Sequence, residues 1–279
     1  MFLSFRTIIL FTFLILTSAS LSFAQNVTVS KEKTDKKKKQ ERPNTNQQTA
    51  DLPKTATAEQ VAESAIYIYG GLLGRQNLNQ IRKTTLERGK ITFTDGKGKS
   101  DSANYERLTL RGDNLDKEKI RFEQTFPDAK YALIYNGEKI FGLYNESVFT
   151  PREDAANSFQ SQIWHGLEAL LRYKENEAKL ELSGRDKVMG VDFYLVDVTD
   201  KQNRKTRFYV SSKSFRVMML EYEEAGVKYK RKFYDYNYAQ GTLVPYRSVL
   251  WADDKQIEET DIGTITFGQK IEEAMFQAG

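Results

Sequence analysis

Between residues 205 and 267 apolar and polar side chains alternate with a period of two, the pattern of antiparallel strands that bury one face. It predicts four extended segments in series: 205–211, 215–224, 227–238 and 243–267, the last folded back at Asp253-Asp254-Lys255. Val227, Tyr229 and Phe233 share one face, and Lys228, Lys230, Lys232 and Tyr234 oppose them. In the preceding segment Val217 and Met219 fall on one face, and Arg216, Met218 and Leu220 on the other. No catalytic or cofactor motif interrupts these strands, so a functional reading has to rest on shape and location.

Upstream, Val61, Ala62, Ala65, Ile66 and Tyr69 recur at helical spacing behind a capping Thr57, and Gly70-Gly71 ends the helix. A second short helix is expected over 75–83 with Leu78 and Ile81 inward. Strands at 85–94, 104–111, 119–126, 130–135 and 139–144 then follow at hairpin spacing, with Pro127-Asp128 and Asn136-Gly137 as turns. Residues 154–173 change character: Phe159, Ile163, Leu167, Leu170 and Leu171 repeat at helical intervals with Trp164 beside them, predicting a helix of about five turns between two halves of a sheet. Strands resume at 179–183 and 190–199. In the latter Val191, Phe193, Leu195 and Asp197 share one face and Tyr194, Val196 and Val198 the other. A strand apolar on both faces needs two covers, here helices on one side and a cavity or further layer on the other. Ile271 and Phe276 are expected to pack on the rim.

Before the first helix the chain is built differently. Residues 1–24 carry one charge, at Arg6, then an apolar run from Ile8 to Leu16 broken by Thr12, then small residues ending in Ala24. That is the layout of a secretory signal peptide cleaved after Ala24. An uncleaved anchor is the competing reading, and it would leave the run from Lys31 to Lys39 on the outer side, against the positive-inside tendency. With no cysteine in the chain, a cysteine-anchored lipoprotein is excluded. Residues 25–57 contain almost no large apolar side chains and read as a disordered basic tether, whose lysines could touch anionic headgroups or act as a solvated spacer. The domain is then 58–279. Of the net charge of +4, Arg6 supplies one unit and the tether four, through eight Lys/Arg against four Asp/Glu, which leaves −1 for the remainder. A basic nucleic-acid surface is therefore not expected on the domain.

Candidate chemistry is sparse. His165 is the only histidine and no Gly-x-Ser-x-Gly elbow accompanies it, so a helix-surface or rim position is expected. Neither a metal site nor a cofactor is expected. The carboxylate neighbours Glu223-Glu224, Asp253-Asp254 and Glu258-Glu259 lie on strands and turns, where adjacent side chains point to opposite faces. Gly98-Lys99-Ser100 lacks the upstream glycine and following helix of a phosphate loop and reads as a hairpin turn. The interleaved Tyr229-Lys230-Arg231-Lys232-Phe233-Tyr234 is read as lysines on an outer sheet face, not a single-strand nucleic-acid platform.

One resemblance emerges from the order of these pieces. Residues 233–241 (Phe-Tyr-Asp-Tyr-Asn-Tyr-Ala-Gln-Gly), then Leu243-Val244-Pro245, then 257–267 with Ile262-Gly263-Thr264-Ile265, and Phe276 at the end, resemble the close of the bacterial outer-membrane lipoprotein-sorting superfamily, the lipoprotein-localisation carriers. Residues 190–196 and 208–215 are similar to its paired central strands, and 65–71 with 78–89 to its opening helix and first strand. The resemblance implies a mainly β fold with flanking helices: a curved antiparallel incomplete β-barrel with a helical lid over a hydrophobic cavity, in a periplasmic protein that takes up acyl chains. No residue is matched to the arginine that helps hold the lid in those carriers. On this reading the cavity is expected from Phe122, Leu133, Phe193, Leu195, Met219, Tyr229 and Phe233, and the lid from Ile163, Leu167, Leu170 and Leu171. The expected function is non-enzymatic binding or carriage of lipid or lipoprotein acyl chains in the cell envelope, with peripheral membrane contact through the tether. The alternative is a structural or interaction module whose sheet fills its own cavity and docks an envelope protein. An apolar void of several hundred cubic ångströms would separate them.

Overall fold

A computed structural model describes residues 56–277, apart from Glu138 and Glu146. The expected leader and nearly all of the expected tether lie outside the described residues.

Six strands precede the inserted helices: β1 (Thr84–Thr94), β2 (Ser100–Leu110), β3 (Lys119–Thr125), β4 (Lys130–Asn136), β5 (Lys139–Tyr144) and β6 (Ser147–Phe149). Seven follow them: β7 (Lys179–Val188), β8 (Val191–Thr199), β9 (Lys205–Ser211), β10 (Val217–Glu224), β11 (Val227–Ala239), β12 (Thr242–Ala252) and β13 (Lys255–Phe267). All thirteen join one antiparallel sheet in the order β6-β5-β4-β3-β2-β1-β13-β12-β11-β10-β9-β8-β7. Every hairpin is a sequence neighbour except one, the seam where β1 pairs with β13 and the chain's two halves meet. The sheet does not close, because β6 and β7 are not paired. It is therefore a mainly β, incomplete antiparallel barrel with helices on one face.

That inner face carries the main core. Helix α1 (Ala58–Gly70) begins with a reciprocal cap, in which Thr57 Oγ1 accepts from the Gln60 amide and Gln60 Oε1 accepts from the Thr57 amide. It buries Val61, Ala62, Ala65, Ile66 and Tyr69. The short α2 (Arg75–Ile81) adds Leu78. Inward from the strands come Tyr105, Ile120, Phe122, Tyr194, Val196, Val198, Phe208, Leu220 and Phe233. The tail runs across the outer face instead of the rim: Phe276 is buried against Leu108 and Ile134, and Lys119 bonds Glu273 at 2.8 Å.

The expected five-turn helix is broken into α3 (Glu153–Trp164) and α4 (Leu167–Leu171). The break has a physical cause. Gly166 is extended, at φ −83° and ψ 178°, and His165 leaves the helix to lay its ring flat on Tyr222, with centroids 4.1 Å apart. His165 is thus buried, not at a surface or rim, and its Nδ1 lies 2.6 Å from Thr206 Oγ1. Residues 95–99 form the hairpin turn expected there: Asp95 Oδ1 accepts from the amides of Lys97 and Lys99, and the next element is β2.

Candidate ligand cavity

Between the inner sheet face and α3–α4 lies a cavity of about 260 Å³. Its floor comes from β1–β3 and β11–β13, and Phe159, Ile163, Leu167 and Glu168 roof it. Leu170 and Leu171 are fully buried behind the roof and fix α4 to the core. Arg75 binds the helices together by donating to the Leu171 carbonyl, to Glu175 and to Glu63.

The lining is nearly half apolar, and seven of its residues are charged. Glu168, on α4, is clamped from below by two arginines: Arg82 Nη1 donates to Oε1 at 2.9 Å and Arg111 Nη2 to Oε2 at 2.6 Å. Burial works against the Glu168 charge, yet Arg111 and Arg82 outweigh it and hold the carboxyl below its usual range. Arg82 also donates to the Leu243 carbonyl, so it ties α4 to β12. At the far end of α4 the guanidinium of Arg172 pairs with Glu118 and donates to the Gly112 carbonyl at 2.6 Å. Burial pushes Glu118 up to about 7 despite that partner. On the opposite wall Arg231 Nη1 reaches Glu258 at 3.2 Å and Ser248 at 3.3 Å, and Gln162 on α3 donates to the other Glu258 oxygen. Arg107 differs from all of these. Its guanidinium lies 4.7 Å over the Phe122 ring, and among the described residues it has neither an ion pair nor a hydrogen bond from its side chain.

The expected site residues divide into three groups. Phe233, Ile163 and Leu167 line the cavity. Phe122 stands behind Arg107 and stacks on Phe159, with centroids 6.2 Å apart, while Leu133 and Tyr229 pack in the surrounding core. Phe193, Leu195 and Met219 do not face the cavity at all; they form an outer-face cluster with Tyr209. Two reasons account for this. Phe193 and Leu195 share their face with Asp197, which is buried among Arg207, Lys205 and Ser183 outside the sheet. Met219 is displaced by a register shift between Val217 and Met219, which turns Val217 and Leu220 inward and Met219 out.

The charged lining residues were not expected, although the sequence does mark two of them. Arg107 follows Ala103 and Tyr105 at alternate, inward positions, and Arg231 sits between the inward Tyr229 and Phe233. An arginine at a position whose neighbours two residues away are core is a signal for a charged cavity. The carboxylate neighbours separate as strand geometry demands: Glu258 points in to Arg231, Glu259 out to Arg247 at 2.6 Å, and Asp253-Asp254 make the β12–β13 turn with positive φ. Lys230 and Lys232 lie on the outer face against Glu221 and Trp251. Among the described residues no three His, Cys, Asp or Glu side chains gather as a metal site.

No family model matches the sequence, and no curated protein matches it significantly. Solved structures do share the architecture. A LolA superfamily protein from Nitrosomonas europaea superposes with a TM-score of 0.57 at 13% identity, covering 80% of this chain and 98% of that one. A DUF1329 family protein from Desulfovibrio piger gives 0.55 at 12% identity, with coverages of 80% and 98%. An outer membrane lipoprotein-sorting protein domain from Vibrio parahaemolyticus gives 0.51 at 12% identity, with coverages of 78% and 97%. The chain therefore has the fold of the LolA-like, lipoprotein-sorting structures.

Proposed function

We propose that this protein is a non-enzymatic carrier of the cell envelope that holds an acyl chain between its open sheet and the α3–α4 roof. It would act in the periplasm after loss of residues 1–24, with the lysine run 31–39 available for peripheral contact with anionic membrane. The observation that supports this best is the roof itself: a helix segment held over a cavity by one carboxylate between Arg82 and Arg111. The fold supports it too, since one of the similar structures is a lipoprotein-sorting domain.

The volume sets a condition. At about 260 Å³ the cavity lies below the range of roughly 300–1,000 Å³ common for small-molecule sites. A long acyl chain would then need α3–α4 to lift. Native mass spectrometry of the protein isolated from its own periplasm, together with titration of a fluorescent fatty acid, tests the proposal. Co-purifying lipid or saturable binding is expected. Neither would leave the interaction-module reading, in which the small cavity is simply imperfect packing and an envelope protein docks on the sheet.

A further inference from the structure

The walls of the cavity hold an excess of positive charge that packing does not use. Five guanidinium groups, Arg82, Arg107, Arg111, Arg172 and Arg231, line it or bond to residues that do. Four carboxylates answer them: Glu87, Glu118, Glu168 and Glu258. Glu168 serves two arginines, Glu118 serves Arg172 and Glu258 serves Arg231. Glu87, directly across the β1–β2 rung from Arg107, accepts from the Tyr105 hydroxyl at 2.7 Å and makes no ion pair with Arg107.

The surplus is also visible as donors without acceptors. Four guanidinium nitrogens, Nε of Arg82, Arg107 and Arg172 and Nη2 of Arg231, are shielded from solvent and have no hydrogen-bond partner, and among the described residues Arg107 is the one of these four arginines whose other nitrogens have none either. Buried donors left open cost about 1–3 kcal/mol each, more for charged groups, so their presence on the walls of a cavity calls for an acceptor. A site for a purely hydrocarbon ligand would gain nothing from them. Arg107 is held ready, since its guanidinium is oriented by the Phe122 face and not by a competing anion. Apolar Phe233, Ile163 and Leu167 share the same cavity.

We infer that the cavity selects amphiphiles with an anionic head, a carboxylate or a phosphate ester, seated on Arg107, with the chain lying against Phe233 and the roof. This rests on the carrier reading above and adds the chemistry of the ligand's polar end. A guanidinium presents paired donors that match a carboxylate or phosphate oxygen pair, and charge-assisted bonds of this kind are roughly twice as strong as neutral ones.

Competition against a bound fluorescent fatty acid tests it, using the full chain with hexadecanoate, hexadecyl phosphate and hexadecanol. The two anions are expected to compete at least about tenfold better than the alcohol, as one charge-assisted hydrogen bond supplies. Whichever of the two competes better names the head. Arg107→Met keeps the alkyl stem over Phe122 and is expected to bring all three to one level, while Arg107→Lys keeps the preference for anions. Thermal melts show whether each variant is folded, and if Arg107→Met is not, the wild-type comparison still decides. Equal competition by hexadecanol and hexadecanoate in the wild-type protein would overturn the inference and leave the carrier intact. A preference that survives Arg107→Met would remove Arg107 as the seat. If the fluorescent fatty acid itself does not bind, the carrier reading goes first and this one with it.

Discussion

His165 is stacked on Tyr222, within reach of Thr206 and only 6% exposed. Burial, reinforced by the charge of Arg204, lowers its pKa to about 4, so the ring is neutral in the folded protein at any pH above that. An unfolded histidine, with a pKa near 6.5, takes up a proton between those limits and the folded one does not. The contribution to stability is therefore complete above about pH 6.5 and is lost as the pH falls towards 4, amounting to roughly 3 kcal/mol. Chemical denaturation at pH 7 and pH 4.5 checks this: His165→Gln should lose much less stability between the two than the wild type. Asp197 acts lower on the scale. Burial opposes its charge, but bonds from Arg207, Lys205 and Ser183 hold the carboxyl well below its usual range. Its contribution is present above the unfolded carboxylate pKa of about 3.9 and disappears as the pH falls through and below it. Asp197→Asn should therefore be destabilised at pH 7 by about 2 kcal/mol and match the wild type more closely near pH 2, in the same denaturation experiment. The environment of His165 was not legible, because Thr206 and Tyr222 lie on strands far along the chain, whereas that of Asp197 is set by Ser183, Lys205 and Arg207 on the adjacent hairpin strands.

Among the elements, the β1–β13 seam differs from every other strand pairing in joining residues distant in sequence. At its register shift Gly89 lies so close to the partner strand that a Cβ would sit 2.0 Å from the Asp261 carbonyl oxygen. Backbone cannot swing aside as a side chain can, so Gly89→Ala should cost about 3 kcal/mol, measured by denaturant midpoint. Gly96→Ala is the control: nothing lies within 4 Å of that position, and its change should fall within about 0.5 kcal/mol. The hairpins were legible from period-two alternation and turn residues, since both are local signals. The seam was not, because no local pattern tells two distant strands that they are neighbours. The same limit explains the outward Phe193, Leu195 and Met219. Alternation sorts side chains into two faces without naming the inner one, and a single bulge reverses the sorting beyond it. Asp197 would have identified the outer face of β8, had its charge been weighed against the apolar residues beside it. The single long helix fails for a related reason: the apolar periodicity runs through His165-Gly166, while the stacking that breaks it depends on Tyr222 of β10.

For the molecule as a whole, the arrangement of sheet and helices decides how a ligand could enter. The sheet is open only between β6 and β7, and the connection that spans this gap contains α3 and α4, the cavity's roof. On the carrier reading proposed above, entry of a long chain requires that the roof and its attachments yield. Of those attachments, the apolar ones at Leu170 and Leu171 anchor α4 to the core, whereas Glu168 faces the cavity and is held by Arg82 and Arg111, which flank the same end of the β1–β2 hairpin. Removing its charge leaves two buried guanidinium groups facing each other without a counterion, which loosens α4 and weakens the closed state by about 2–4 kcal/mol. The open state gains relative to the closed one by the same amount, so the barrier to entry falls. Glu168→Gln should accordingly speed fatty-acid uptake at least about tenfold in stopped-flow mixing. Arg107→Met, which leaves the clamp intact, should change head-group preference and not the rate of opening. If the two variants cannot be separated in this way, the roof is not the gate, and ligand must reach the cavity through the strands beside the gap.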